Sequence, residues 1–275
     1  MGKTLSSILN RYYQEAVGGI VQKTPSHLNR GEGTELEYYI FKIDLVGSTL
    51  FTWTKTHQTY LKLAHTFLSS VDEITREFGA DGEQAEYAGD GLIAYFRSNV
   101  SPLLVMKAAY WCREAAFQMK TLDPTLNKFH FYTKIIVHFG KLLMAKIGPR
   151  GDSFASAIGP ELHKACKMEE RVTPGQGRVS IEFFNKLPVL ERFRLLNPNY
   201  REIQVLKQQP STLPTRALSP LQELFSQSAY SQWLRPLQNP LEYLQPQKEP
   251  SPEYETKKEI IDYSIKWDAI SKFLI

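Results

Sequence analysis

The stretch "FKIDLVGST", residues 41–49, places Asp44 at the end of a short apolar run and follows it with the turn residues Gly47, Ser48 and Thr49. The stretch "EYAGDGLIAYF", residues 86–96, holds Asp90 between Gly89 and Gly91, ahead of a second apolar run. Carboxylate oxygens suit hard cations such as Mg²⁺ and Mn²⁺, whose sites commonly use one or two carboxylates plus substrate phosphates. The turn after Asp44 supplies backbone N–H groups ahead of a helix, a place where phosphate binds, and Gly47 allows close approach. Singly, Asp44 reads as a helix cap and Asp90 as a turn residue. As a pair they point to metal-dependent chemistry on a nucleoside triphosphate, provided the fold brings them together.

The surrounding elements are arranged to do so. A strand is expected at 37–44. A long helix follows, with Tyr60, Ala64, Phe67, Val71, Ile74 and Phe78 on one face at spacings of three and four. Strands near 83–88 and 91–97 read as a tight hairpin turning at Gly89-Asp90. If the first strand pairs antiparallel with this hairpin, its end lies beside the turn and Asp44 meets Asp90. Pro102 opens a second helix with Val105, Ala108, Ala109, Cys112 and Ala116 inward. Strands are expected at 130–139, ending at Gly140, and near 141–147. A helix is expected at 160–170, and strands near 191–196 and 201–207. The order is close to βαββαβ, an α+β sheet with helices on one face.

Three segments follow from composition. Residues 1–33 form an amphipathic N-terminal helix and linker. The first six residues also fit the loose myristoylation pattern, but Leu5, Ile8, Leu9, Tyr12 and Ala16 account for the segment as a docked helix. Residues 34–208 carry the sheet and both acidic stretches. Residues 209–275 read as a Pro-rich arm and a C-terminal helix, because eight of the sixteen prolines lie between Pro210 and Pro252. Ile261, Ile265, Ala269 and Phe273 then return to helical spacing.

Of 275 residues, 42% are hydrophobic and 23% charged, ordinary for a globular chain. A net charge of +4 without a basic cluster argues against a nucleic-acid partner. No apolar run is long enough to span a bilayer, and no signal peptide is seen, so no membrane partner is expected. Cys112 and Cys166 form no disulfide framework, which fits a reducing, cytoplasmic compartment.

The two acidic stretches resemble the metal-binding stretches of class III nucleotidyl cyclases. Residues 135–148, "IIVHFGKLLMAKIG", are similar to the family's apolar-His-x-Gly strand pair, and residues 159–170, "GPELHKACKMEE", to its Gly-x-x-Val-Asn-x-Ala-x-Arg helix. The matches run in order over residues 35–207. The resemblance implies the ferredoxin-like class III catalytic domain and a homodimer with composite sites. It implies two Mg²⁺ or Mn²⁺ ions per site on Asp44, Asp90 and the Leu45 carbonyl. Attack of the ribose 3′-hydroxyl on the α-phosphorus would expel pyrophosphate and leave a 3′,5′-cyclic nucleotide.

The departures from the family pattern bear on the base. The adenine-reading Lys is replaced by Glu86, as in guanylate cyclases, but its partner position holds Ser156 where many guanylate cyclases have Cys. The ribose-orienting Asn is His163, and the phosphate-stabilising Arg is Lys167, which cannot form a bidentate fork. Strand alternation puts Gln84, Tyr95 and Arg97 on the Glu86 side of the hairpin. Arg97 is therefore expected to donate to a pyrimidine carbonyl, with Glu86 accepting from the base. Phe41 is a candidate to stack on the base, with core packing as its other reading. This pattern resembles bacterial pyrimidine cyclases of antiphage defence. That resemblance implies UTP as substrate, cyclic UMP as product and a separate effector activated by it. The alternatives are a cytidylate, guanylate or adenylate cyclase, or a degenerate cyclase fold that binds nucleotides without turnover.

Overall fold

A computed structural model describes residues 5–16, 19–82, 84–119, 121–122, 126, 131–206 and 254–275. In chain order, helix α1 (Leu5–Glu15) and strand β1 (Gly19–Ile20) precede the long strand β2 (Glu32–Val46). Helices α2 (Ser48–Thr54) and α3 (His57–Glu77) lead to the hairpin β3 (Glu86–Ala88) and β4 (Gly91–Arg97). Helix α4 (Pro102–Met119) is followed by β5 (Tyr132–Ile147), β6 (Phe154–Ile158) and α5 (Pro160–Glu169). Strand β7 (Gly177–Val179), α6 (Ile181–Lys186), α7 (Val189–Leu195), β8 (Leu196–Leu206), β9 (Tyr254–Ile265) and α8 (Trp267–Phe273) complete the described chain. The fold is a mixed α+β sheet of order β3-β4-β2-β5-β7-β9-β8, with β1 added to β2 and β6 to β5.

The strand "EYYIFKID" is apolar on both faces, so both faces demand cover. Tyr39, Phe41, Ile43 and Leu45 join the main core with Phe67 and Val71 of α3 and Val105, Ala109 and Cys112 of α4. Tyr38 and Ile40 join a second core with Ile93, Tyr95, Ala165 and Met168. Helices therefore lie on both faces of the sheet, not on one as expected, because α5 covers the second face.

Gly140 does not break β5 into two strands: one strand of 16 residues runs through it. A Cβ at Gly140 would meet Glu161 Cγ and Oε2 at 2.7 Å, so the glycine admits α5 rather than ending a strand. The neighbouring His138 is fully buried, with Nε2 2.6 Å from Glu161 Oε2. Burial lowers its pKa against the pull of Glu161 and Glu182, favouring the neutral ring.

Two further expectations are corrected. Residues 189–195 form α7 rather than a strand, with Leu195 as its buried contact. The helical spacing read over 261–273 belongs instead to a strand ending at Ile265 and a helix starting at Trp267. Spacing of four satisfies a period of two as well, so Ile261 and Ile265 could not separate the two states. Packing divides the chain into Met1–Tyr200 with Ile260–Ile275, and Arg201–Glu259. Residues 207–253, most of the expected arm, lie outside the described residues. The last residues are part of the main sheet. Tyr263 stacks on Phe184 with ring centroids 3.9 Å apart, and Asp262, 1% exposed, is held by Arg178 Nη1 and Asn199 Nδ2.

Tyr263→Ala is expected to cost about 3 kcal/mol of unfolding free energy in urea, as removal of a buried aromatic does. A change within about 0.5 kcal/mol, the range of an exposed site, would mean that this strand is a dispensable appendage.

Candidate functional site

The site begins with strand register. Strands β2 and β4 pair antiparallel, Phe41 with Ala94 and Ile43 with Leu92, so Asp44 comes beside Gly91 at the mouth of the hairpin. Strand β3 returns with Glu86 opposite Ile93 and Ala88 opposite Gly91, leaving Gly89 and Asp90 as the two turn residues. Gly89 takes φ +65°, a conformation that suits glycine as the first central residue of such a hairpin. Gly91 has a different reason to be glycine. A Cβ there would sit 3.1 Å from Asp44 Oδ1 and 2.8 Å from the Ile43 carbonyl oxygen. The glycine opens the space that the Asp44 carboxylate uses.

Gly47, at φ +93°, caps α2 directly after β2. This sharp handover brings Ser48 under the hairpin, where its Oγ donates to Asp90 Oδ2. Ser48 is buried. Beyond the backbone N–H expected to serve a phosphate, Ser48 fixes one oxygen of Asp90 through its hydroxyl. Leu45 buries its side chain in the core, so its contribution to the site is its backbone alone.

Asp44 stands opposite Lys134 on β5, two residues from Lys42, whose Nζ is 2.6 Å from Glu169 Oε2. Burial first, then the charges of Asp90 and Glu169, push the Asp44 carboxyl up to about 6, against the opposing pull of Lys42 and Lys134. The local excess of negative charge is what a divalent cation would neutralise. No cluster of three or more His, Cys, Asp or Glu suited to a metal occurs among the described residues. A pair of carboxylates is a donor set suited to Mg²⁺ or Mn²⁺ that arrives with phosphates, and poor for a resident structural metal. The residues present fit the expected ions.

A second cluster forms on the α5 face. Glu86 Oε1 accepts from Ser156 Oγ at 3.1 Å, from the Ala157 N–H at 3.0 Å and from Tyr95 Oη at 3.1 Å. Glu86 and Ser156, 70 residues apart, are thus brought together as expected. Tyr95 and the Ala157 amide were not singled out by sequence reasoning. The available signal was strand alternation, which puts Tyr95 on the Glu86 side.

Arg97 is not brought to Glu86. Its Nε and Nη2 reach Asp81 Oδ2 at 3.2 and 3.1 Å, and Tyr95 fills the space beside Glu86. The expected approach of Arg97 to Glu86 is corrected on that ground. Phe41 is fully buried in the main core, edge-on to Phe96 with centroids 6.2 Å apart, on the opposite face from Glu86. Of its two readings, packing is the observed one. His163 and Lys167 are exposed on α5. Lys167 Nζ bonds Glu170 Oε1 at 2.6 Å, and no hydrogen bond links either residue to Asp44, Asp90 or Glu86 among the described residues.

No family model matches the chain. Over 149 residues it is 28% identical to a uridylate cyclase of Burkholderia cepacia, the match covering 52% of this chain and 63% of that protein. The chain thus spans less than two thirds of the length of that curated relative. Among solved structures, a guanylyl cyclase superposes with a TM-score of 0.53 at 17% identity, over 66% of this chain and 88% of the other. An adenylyl cyclase from Pseudomonas aeruginosa gives 0.52 at 14%, over 62% and 87%. A class III adenylyl cyclase-like ATP-binding protein from the same organism gives 0.55 at 14%, over 68% and 45%. The fold is that of class III cyclase catalytic domains.

The raised Asp44 carboxyl has a measurable consequence without metal. Its folded value, about 6, lies above the unfolded carboxylate value of about 4. The folded state therefore holds this proton more tightly, and that contribution is lost as pH rises through 6. Asp44→Asn removes the strained charge. In chelator, the variant is expected to be more stable than the parent by about 1–2 kcal/mol at pH 7.5, after allowance for screening at a half-buried site. The gain should vanish below about pH 4. Urea unfolding across pH measures it, and a variant less stable than the parent at pH 7.5 would contradict the charge balance. Millimolar Mn²⁺ should raise the melting temperature of the parent and leave the variant unmoved.

Proposed function

We propose that this chain, built on the class III cyclase fold, is a nucleotidyl cyclase that converts a pyrimidine nucleoside triphosphate, foremost UTP, into the 3′,5′-cyclic nucleotide and pyrophosphate. The observation that carries the reading is the convergence of Asp44 and Asp90 across the β2–β4 ladder, with Gly91 cleared for one carboxylate and Ser48 fixing the other. Divalent cations bound there would neutralise the triphosphate and ease deprotonation of the ribose 3′-hydroxyl. The protein's own part is positional. Asp44 and Asp90 hold negative charge at one point on the rim of the sheet, and the first-turn amides of α2 lie next to it for a phosphate oxygen. The 3′-oxygen forms the new bond to the α-phosphorus, the bond to the bridging oxygen breaks, pyrophosphate leaves, and the 3′-hydroxyl proton passes to solvent.

The working unit in this reading is a homodimer. His163 and Lys167 are exposed on α5 and make no hydrogen bond to the acidic pair of their own chain among the described residues, and a partner's acidic pair would give them a role. Lys167 would then exchange Glu170 for a phosphate oxygen as a point charge. The pyrimidine preference is supported by the similarity to a uridylate cyclase and by the absence of an adenine-reading lysine at Glu86. A signalling role for the product in antiviral defence, with a separate effector as receiver, is part of this proposal and rests on the resemblance of the sequence motifs to pyrimidine cyclases alone. A second reading, nucleotide binding without turnover, is favoured by the likeness to an ATP-binding cyclase-like protein. Retention of both acidic residues speaks for turnover.

Purified protein incubated with each of the four nucleoside triphosphates and Mn²⁺, with products identified by mass, is expected to yield cyclic UMP ahead of cyclic CMP and either purine product. Asp90→Ala should lower the rate by about a thousandfold or more, since one carboxylate anchors several kcal/mol of charge stabilisation. A folded, fully active Asp90→Ala variant would overturn the assignment. Mixing inactive Asp44→Ala with inactive Lys167→Ala chains should restore roughly a quarter of the activity, because half the two-fold dimers are hybrids with one intact site each. No recovery from demonstrated hybrids would overturn the shared site.

A further inference from the structure

Glu86 carries an uneven load. Its Oε1 accepts three hydrogen bonds, from the Tyr95 hydroxyl, the Ser156 hydroxyl and the Ala157 amide, while Oε2 receives none from any described residue. A carboxylate oxygen offers about two lone-pair directions, so Oε1 has no capacity left for a ligand. Tyr95 is fully buried, pinned edge-on against Tyr38 with centroids 6.1 Å apart. Burial, then the Glu86 charge, drives its phenol far above the ordinary tyrosine range, so it remains a protonated donor at any working pH. Ser156 lies on β6 and is held opposite Ala145 of β5, and the adjoining Ala157 amide is backbone. The donors come from rigid elements, and the carboxylate cannot turn its other edge outward without breaking all three bonds.

We infer that Tyr95 is a positioning residue that, with Ser156 and the Ala157 amide, dedicates one oxygen of Glu86 to the protein, so that Glu86 reads the base through Oε2 alone and accepts uracil over guanine. The inference rests on the nucleotide-site reading above and deepens it. Guanine presents two adjacent donors, N1–H and N2–H₂, and a carboxylate meets them with both oxygens side by side. With Oε1 saturated, one guanine donor is left buried without an acceptor, which is costly. Uracil presents a single donor, N3–H, between two carbonyl oxygens. A carboxylate with both oxygens bare would set its second oxygen against one of those carbonyls. A carboxylate whose second oxygen is already covered by donors avoids that repulsion. The same Glu that suits guanine when both oxygens are open suits uracil when one is closed.

The test removes the cover one donor at a time. Tyr95→Phe keeps the ring and deletes the hydroxyl, Ser156→Ala deletes the second donor, and the double variant leaves only the Ala157 amide. Two readouts are taken on the full chain after urea unfolding has confirmed the fold. These are the ratio of kcat/KM for GTP over UTP, and the ratio of dissociation constants for non-cyclisable α,β-methylene GTP and UTP by calorimetry. Each single variant still leaves two donors on Oε1 and should move both ratios little, while the double variant, with only the Ala157 amide left, should shift both toward guanine by about tenfold, which is about 1.4 kcal/mol. A loss of packing alone would lower both nucleotides together and leave the ratios in place. Unchanged ratios in a folded double variant overturn the inference while leaving the cyclase reading intact. A parent that binds both analogues and forms no cyclic product overturns the cyclase reading, and the calorimetric ratios then decide the inference by themselves. If the double variant does not fold, Tyr95→Leu combined with Ser156→Ala, which deletes the same two donors, decides it with the calorimetric ratio.

Discussion

The site depends on one constraint, the register of β2 between β4 and β5. That register puts Ile43 against Leu92 and Ile135, and Asp44 against Lys134 and beside Gly91. Side chains in a strand alternate, so a slip of one residue would send Asp44 into the main core and Ile43 out of it. Burial of Tyr39, Phe41, Ile43 and Leu45 against α3 and α4 therefore acts on the function. The apolar cost of a slip holds the carboxylate beside the hairpin turn. The main core and the acidic pair are set by alternate residues of the same strand.

What was legible in the sequence were features with a local cause. Helices α3 and α4 follow from periodicity. The hairpin follows from Gly89-Asp90, and the meeting of Asp44 with Asp90 from antiparallel pairing of neighbours. Failures occurred where a distant segment decided the outcome. Gly140 reads as a strand end until Glu161 of α5 is seen to need its missing Cβ. Ile261 and Ile265 suit a helix or a strand. The choice falls to Phe184, on which Tyr263 stacks, and to Arg178, which meets Asp262. Neither partner is near in sequence.

Arg97 and Tyr95 illustrate the same limit inside the site. Alternation correctly put both on the Glu86 side, and chemical intuition favoured the arginine. Reach decided otherwise. The longer side chain was captured by Asp81, across the turn that follows α3, while the shorter phenol points straight at the carboxylate. Arg97 is nearly half exposed and its pair with Asp81 is solvated, so it contributes little to stability. The Tyr95–Glu86 bond is shielded and shares its acceptor with two more donors. The buried, shared bond constrains geometry far more than the exposed pair does.

The two faces of the sheet divide the work accordingly. The α3–α4 face is closed by aliphatic and aromatic side chains, Phe67 and Val71 of α3 and Val105 and Ala109 of α4 among them. The α5 face carries Asp44, the Lys42–Glu169 pair, the Glu86 cluster and His138 beside a smaller core. Charge can be tolerated there because Lys42, Glu169, Glu86 and His138 each have a partner within hydrogen-bonding distance. Asp44 is the exception, its carboxyl pushed up by burial and by like charges. A destabilised carboxylate at one point on an otherwise balanced face is a cost that folding alone gives no reason to keep. Binding a cation there would convert that cost into affinity, since the repulsion that raises the carboxyl is the same field that would attract the metal.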